Sequence, residues 1–153
     1  MPIVLHGRHD GALAERMIDQ RCQIYRTRFA LDAFRDPDYG DIRVTTGRAT
    51  AAILVPRSLA ANAASLLASE STPVFSVGRN VRVFLAQGLP DGQEAWRLSI
   101  ALFRCAVVPI LTPSPLVLPT PGDPRRCWLS VPHGPARPPI DVVASALLRA
   151  AQK

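Results

Sequence analysis

Cysteine is scarce in this chain of 153 residues, and the three that occur, Cys22, Cys105 and Cys127, stand far apart. No CxxC pair exists, which argues against a structural zinc site or a disulfide framework and favours a reducing, cytoplasmic home. Cys22 and Cys105 lie among apolar neighbours and are expected to serve as small core residues. Lysine is nearly missing: of 18 basic residues only Lys153 is Lys, and the rest are Arg. Beside many Ala and Pro, that imbalance is the mark of GC-rich coding, so the Arg excess is not a nucleic-acid signature by itself. No apolar run approaches the roughly 18–20 residues a membrane span needs, and the opening residues lack a signal-peptide plan, so no membrane partner is expected. Gly-rich phosphate loops of the GxGxxG or P-loop type are absent, as is a Gly-x-Ser-x-Gly nucleophile elbow. No cofactor and no catalytic residue are therefore expected, and the balance leans away from an enzyme.

What is present is an ordinary globular balance, 48% hydrophobic and 20% charged, which excludes wholesale disorder. The length suits one domain over 1–153. Residues 1–41 hold six Arg against seven acids, while 42–153 hold twelve basic residues against five acids, a net +7. A partner carrying phosphates would favour that field; dispersed, solubilising Arg is the plain alternative. Ten of the fifteen prolines fall between Pro109 and Pro139, which marks 109–139 as a stiff cover of short strands and fixed loops.

Hydrophobic spacing sets the expected elements. Pro2 to Leu5 is a short edge strand. From Gly11 to about Phe34 the residues Ala14, Ile18, Cys22, Tyr25 and Phe29 form a helical stripe, widened by Leu13, Met17 and Ile24, with Asp10 as N-cap. Residues 35–41 are turn-rich. Ile42–Thr45 is a short strand, and Ala51–Val55 is apolar on both faces, as an interior strand is. Ser58 is placed to cap a helix through about Ser69. Thr72–Val77 and Val81–Ala86 flank Gly78-Arg79-Asn80, a hairpin signal. For 91–105 the alternation of Trp96, Leu98, Ile100 and Leu102 competes with a helical set of Trp96, Ile100 and Phe103. Asp91 and Glu94 resemble a capping box with Gly92 at the first helical position, so a helix is expected, with Trp96 in the core. Short strands follow at Val107–Leu111, Pro115–Leu118 and Cys127–Val131, and Pro139–Gln152 is a closing helix carrying Ile140, Val143, Leu147 and Ala151 on one face. The expected class is α+β (mixed α/β), a single domain with a central, mostly antiparallel or mixed sheet flanked by about four helices.

Candidate chemistry is local. His6, His9 and Asp10 combine metal-ligand types, but in a terminal loop without a second ligand cluster nearby. Asp36 and Asp38, with Asp41 beyond, form the only dense carboxylate cluster. On a strand such a pair can hold a divalent cation for phosphoryl transfer, whereas Pro37 and Tyr39-Gly40 point to turn-forming carboxylates. A metal-dependent enzyme built on Asp36, Asp38 and His9 ranks lowest. Thr45-Thr46-Gly47-Arg48 can present Arg48 to a phosphate or simply close a strand. His133 stands in a loop without nucleophilic partners. Arg79 and Arg82 lie at and beyond the hairpin turn, and Arg125 and Arg126 precede Trp128. Trp128 is either a base-stacking ring or a strand residue packed under the proline-rich cover.

Three stretches between about Phe34 and Ala150 resemble the N-terminal domain of bifunctional DNA primase/polymerases, particularly divergent actinobacterial forms. Phe34-Arg35-Asp36-Pro37 leading to Ile42–Gly47 resembles an aromatic–Pro approach to a strand ending in Thr-Gly. Pro73-Val74-Phe75 and Val81–Leu85 resemble a later hairpin, and Leu116–Gly122 with Trp128 and Pro132 resembles a terminal strand, Pro-rich loop and Trp strand. Active members of that family carry metal-binding acids on the strand after the Thr-Gly turn. Here Ala49–Val55 carries none, and neither the family's catalytic His nor a zinc-binding cysteine cluster has a counterpart. The resemblance therefore implies a degenerate, non-catalytic prim-pol-like binding module that contacts DNA or RNA through Arg48, Arg79, Arg82, Arg125 and Arg126, with Trp128 as a stacking ring. The alternative is a protein-interaction or assembly subunit, pairing with itself or another chain.

Overall fold

Six consecutive apolar residues, Ala51–Pro56, cannot face water on either side, and they form the strand around which the domain is layered. A computed structural model describes residues 6–88, 92–110 and 112–152, the side chains of 6–10 and 92 excepted. The elements run α1 (His6–Thr27), β1 (Ala33–Arg35), β2 (Ile42–Thr45), β3 (Ala51–Pro56), α2 (Arg57–Leu66), β4 (Val74–Val77), β5 (Val81–Ala86), α3 (Gly92–Phe103), β6 (Val108–Ile110), β7 (Pro115–Val117), β8 (Arg126–Ser130) and α4 (Ile140–Ala151). Among the described residues, four helices and two antiparallel sheets make an α+β domain. One sheet has five strands in the order β6-β3-β5-β4-β8, and the other has three, β1-β2-β7. None of the described helices is long and apolar enough to cross a membrane.

Strand alternation sorts the core into two layers. Ala51, Ile53 and Val55 of β3, with Phe84 and Ala86 of β5, pack against α2, α4 and Leu102 of α3. The opposite parity, Ala52, Phe75, Val83 and Leu85, packs against Cys22 and Tyr25 of α1 and against Ala33, Ile42 and Val44 of the small sheet. The large sheet is thus the middle layer, between helices on one side and the small sheet with the end of α1 on the other. β3 pairs with β5 and with β6, which makes it an interior strand, as its two-sided apolar run requires. The strands of the proline-rich cover divide among the sheets: β6 and β8 form the edges of the large one, while β7 edges the small one.

Prolines lack an N–H but keep a carbonyl, and the cover is tied through those carbonyls. Tyr25 Oη donates to Pro119 O at 2.5 Å, and the Gln87 N–H donates to Pro138 O at 2.9 Å. Arg137, only 9% exposed, donates from Nη1 to Phe29 O at 2.9 Å and from Nη2 to Ala49 O at 2.7 Å. A cation so placed loses water, and burial lowers its affinity for the proton.

Several local expectations are corrected. The first helix extends from His6 to Thr27, so His6–Asp10 is helical rather than loop, and Asp10 is not its N-cap. At the other end the chain leaves the helix before Phe34. Ala30 takes a left-handed φ of 48°, the Leu31 N–H bonds to Tyr25 O at 3.0 Å, and Ala33–Arg35 pairs with Ile42–Val44 instead. Strand pairing overrides the helical periodicity there. α2 starts one residue before Ser58, directly from Pro56, whose φ of −59° and ψ of 143° turn strand into helix without a side-chain cap. The Pro2–Leu5 strand and Asp91 of the capping box lie outside the described residues.

The helix over Gly92–Phe103 forms as expected, but Trp96 is not in its core: it is 69% exposed, and Phe103 is 73% exposed. The helix carries two apolar stripes, and it is Leu98 and Leu102, four residues apart, that reach the helical core. Periodicity alone does not choose between two such stripes.

Candidate functional site

Antiparallel pairing determines where each basic residue goes. The hairpin Val77–Val81 closes with Gly78 at φ 64°, a left-handed position that suits glycine, and carries Arg79 exposed at its tip. The Gly78 N–H donates to Arg125 O at 2.7 Å, which seats Arg125 beside that turn. Arg82 pairs across β5 with Val55 and Ser76, on the parity of Phe84, so it stands on the helix side of the sheet. Its Nη1 donates to Arg79 O at 3.4 Å and to Val81 O at 3.1 Å, which holds the guanidinium at the hairpin end. The Arg57 N–H donates to Asn80 O at 2.9 Å, so the first residue of α2 joins the same end of the sheet. The backbones that carry Arg57, Arg79, Arg82 and Arg125 come from three stretches and meet at that end of the sheet. Among the described residues none of the four arginines pairs with a carboxylate.

The other expected contacts are elsewhere. Arg126 pairs with Val77 and lies on the opposite face of the sheet, where its Nη1 meets Asp123 Oδ2 at 3.0 Å. Trp128 shares that face. Its ring packs edge-on against Phe75 at 5.4 Å and Tyr25 at 6.0 Å, and its Nε1 donates to Tyr25 Oη at 2.9 Å. The indole is thus used in linking β8 to α1. Arg48 is exposed, but its carbonyl accepts from Gly88 N–H at 2.6 Å, next to the far end of β5. It sits at the opposite end of the sheet from the hairpin. Arg57 was not singled out by the sequence, because only the fold brings the end of β3 to the hairpin.

From the cluster a groove of about 430 Å³ runs between α2 and the sheet. Arg57 and Arg82 stand at its hairpin end. Ala60, Ala61 and Ala64 of α2, with Leu67 at its C-terminal cap, form one wall, and Val74, Phe84 and Leu129 form the sheet side. Ala68, Ser71, Thr72, Ser130 and His133 complete the lining, and no acid is among these residues. A groove forms here because α2 and α4 cover β3 and β5 while the edge strand β8 is left open, and because alanine side chains leave room beside it. Thr72 is 6% exposed, and its hydroxyl is the single buried side-chain polar atom without a partner among the described residues.

The acidic loop is a turn. Asp36 Oδ1 accepts from the N–H groups of Asp38 at 2.9 Å and Tyr39 at 2.8 Å, and Oδ2 lies 3.6 Å from Arg43 Nη1. Those bonds, the Tyr39 N–H first, hold the Asp36 carboxyl below its ordinary range. Asp41 is bound by Arg43 Nε at 2.7 Å. Among the described residues no group of three His, Cys, Asp or Glu is placed to hold a metal, and the His6 and His9 side chains lie outside them. Thr46 is buried, and its hydroxyl donates to Thr112 O at 3.0 Å and accepts from Ser114 N–H at 3.0 Å, which pins the Thr-Gly turn to β7's approach. His133, isolated in the sequence, lines the groove.

Comparison with family models, curated proteins and solved structures finds no match to this chain.

Proposed function

We propose that this domain is a non-catalytic binding module of prim-pol-like type that contacts single-stranded or double-stranded nucleic acid through the hairpin-end arginines. The observation that carries the reading is that the backbones bearing Arg57, Arg79, Arg82 and Arg125, from three stretches, meet at one end of the sheet, and that among the described residues none of the four pairs with a carboxylate. Like charges repel, so gathering them is unfavourable unless an anion is shared, and phosphodiesters supply anions at regular spacing. Arg48 lies at the other end of the sheet, and Arg126 and Trp128 lie on its other face, outside the proposed contact surface. The strand after the Thr-Gly turn is packed on both sides by apolar residues, which supports a binding role rather than metal-assisted phosphoryl transfer.

A fluorescence-anisotropy titration with single- and double-stranded oligonucleotides tests this. Four phosphate contacts give a slope of log K against log salt of roughly −3 for a single strand, at about 0.7 per contact. Arg79→Gln with Arg125→Gln weakens binding and flattens that slope to about half. Absence of salt-sensitive binding at micromolar protein overturns the reading.

The exposed stripe Trp96, Ile100 and Phe103 on α3 favours a second role in assembly, pairing with another protein or another copy. A mass by light scattering above that of one chain, with no nucleic-acid affinity, would put this reading first.

A further inference from the structure

We infer that the groove beneath α2 is a binding site for a small amphipathic anion, whose carboxylate or phosphate head is held by Arg57 and Arg82 and whose apolar body lies along the alanine wall. This goes beyond nucleic-acid contact, because the groove walls are separate from the hairpin tip.

Size, charge and polarity agree on that ligand. The groove of about 430 Å³ lies toward the small end of the range for ligand pockets. Its positive charge is confined to Arg57 and Arg82 at one end, with no acid in the lining to neutralise them. A cation would be repelled by the two guanidiniums, and a neutral ligand would gain no charge-assisted bond from them. Beyond the arginines much of the wall is apolar, from Ala61 and Ala64 on the helix and from Val74 and Phe84 on the sheet, with Ser71, Thr72, Ser130 and His133 as its polar members, which suits a ligand with an apolar body better than a fully hydrated ion such as free phosphate.

Isothermal titration calorimetry with two anions, octanoate and phenyl phosphate, separates a carboxylate head from a phosphate head. Octanol and octyltrimethylammonium serve as neutral and cationic controls. At least one anion is expected to bind one to one, ten-fold or more tighter than either control. Arg57→Gln with Arg82→Gln is expected to weaken that anion at least ten-fold. Ala64→Trp fills the groove from an exposed helix position and abolishes binding, with Ala61→Trp as a second filling variant should the first disturb folding. Arg79→Gln with Arg125→Gln leaves anion binding unchanged while weakening oligonucleotide binding. Equal binding of octanol, no binding of either anion, or binding that survives both tryptophan variants overturns the inference. Anion binding by the unaltered protein with no oligonucleotide binding overturns the nucleic-acid reading and leaves the groove site standing.

Discussion

Ala106 takes a φ of 60° just after α3, where its N–H bonds to Phe103 O at 3.0 Å and the Val107 N–H bonds to Leu102 O at 3.0 Å. That pair of bonds is a Schellman ending, and Val107 and Leu102, both fully buried, make the apolar contact that accompanies it. Alanine bears a left-handed penalty there that glycine does not, about 1–2 kcal/mol, partly offset by the greater freedom of glycine in the unfolded chain. Ala106→Gly is therefore expected to stabilise the domain by about 0.5–1 kcal/mol, seen as a higher urea midpoint at unchanged slope. A lower midpoint would show that the methyl group is needed. None of this is legible in Cys105-Ala106-Val107, because alanine gives no left-handed signal. By contrast the Asp36 turn is legible, since Asp-Pro-Asp-Tyr-Gly favours a carboxylate bonded to its own backbone, and that is what Asp36 does.

At the scale of elements, α3 shows what a hydrophobic pattern leaves undecided. Leu98 and Leu102 anchor it, while Trp96, Ile100 and Phe103 remain on its outer side. An exposed helix face contributes little to the stability of one isolated chain, so Trp96→Glu with Phe103→Glu is expected to change the unfolding free energy by less than about 0.5 kcal/mol. If the stripe is an assembly surface, the same double variant converts an oligomer to a single chain in light scattering. A large destabilisation without a change of mass would place both side chains in the core after all. The hairpin and α4 were legible because turn chemistry and a single apolar face agree at each. α1 was legible only in its middle, because its periodicity runs on past the point where Ala33–Arg35 finds a strand partner.

For the whole molecule, layers are joined by a few long-range polar ties. Arg137, in the proline-rich cover, binds carbonyls at Phe29 after α1 and at Ala49 before β3. Arg137→Met would leave both carbonyls without that donor, at about 1–3 kcal/mol each, while sparing the cost of burying a cation. A net loss of about 2 kcal/mol is expected in a urea melt, and an unchanged midpoint would show that water replaces the guanidinium. Composition and spacing determined the α+β class, the interior strand, the hairpin and the concentration of positive charge after residue 41, because these follow from local geometry and from burial of an apolar face. The division of strands between two sheets, the exposure of Trp96 and the meeting of the backbones that carry Arg57, Arg79, Arg82 and Arg125 were decided by tertiary structure alone. Each depends on which distant strands pair and which helix face is covered, and no pattern within one segment carries that information.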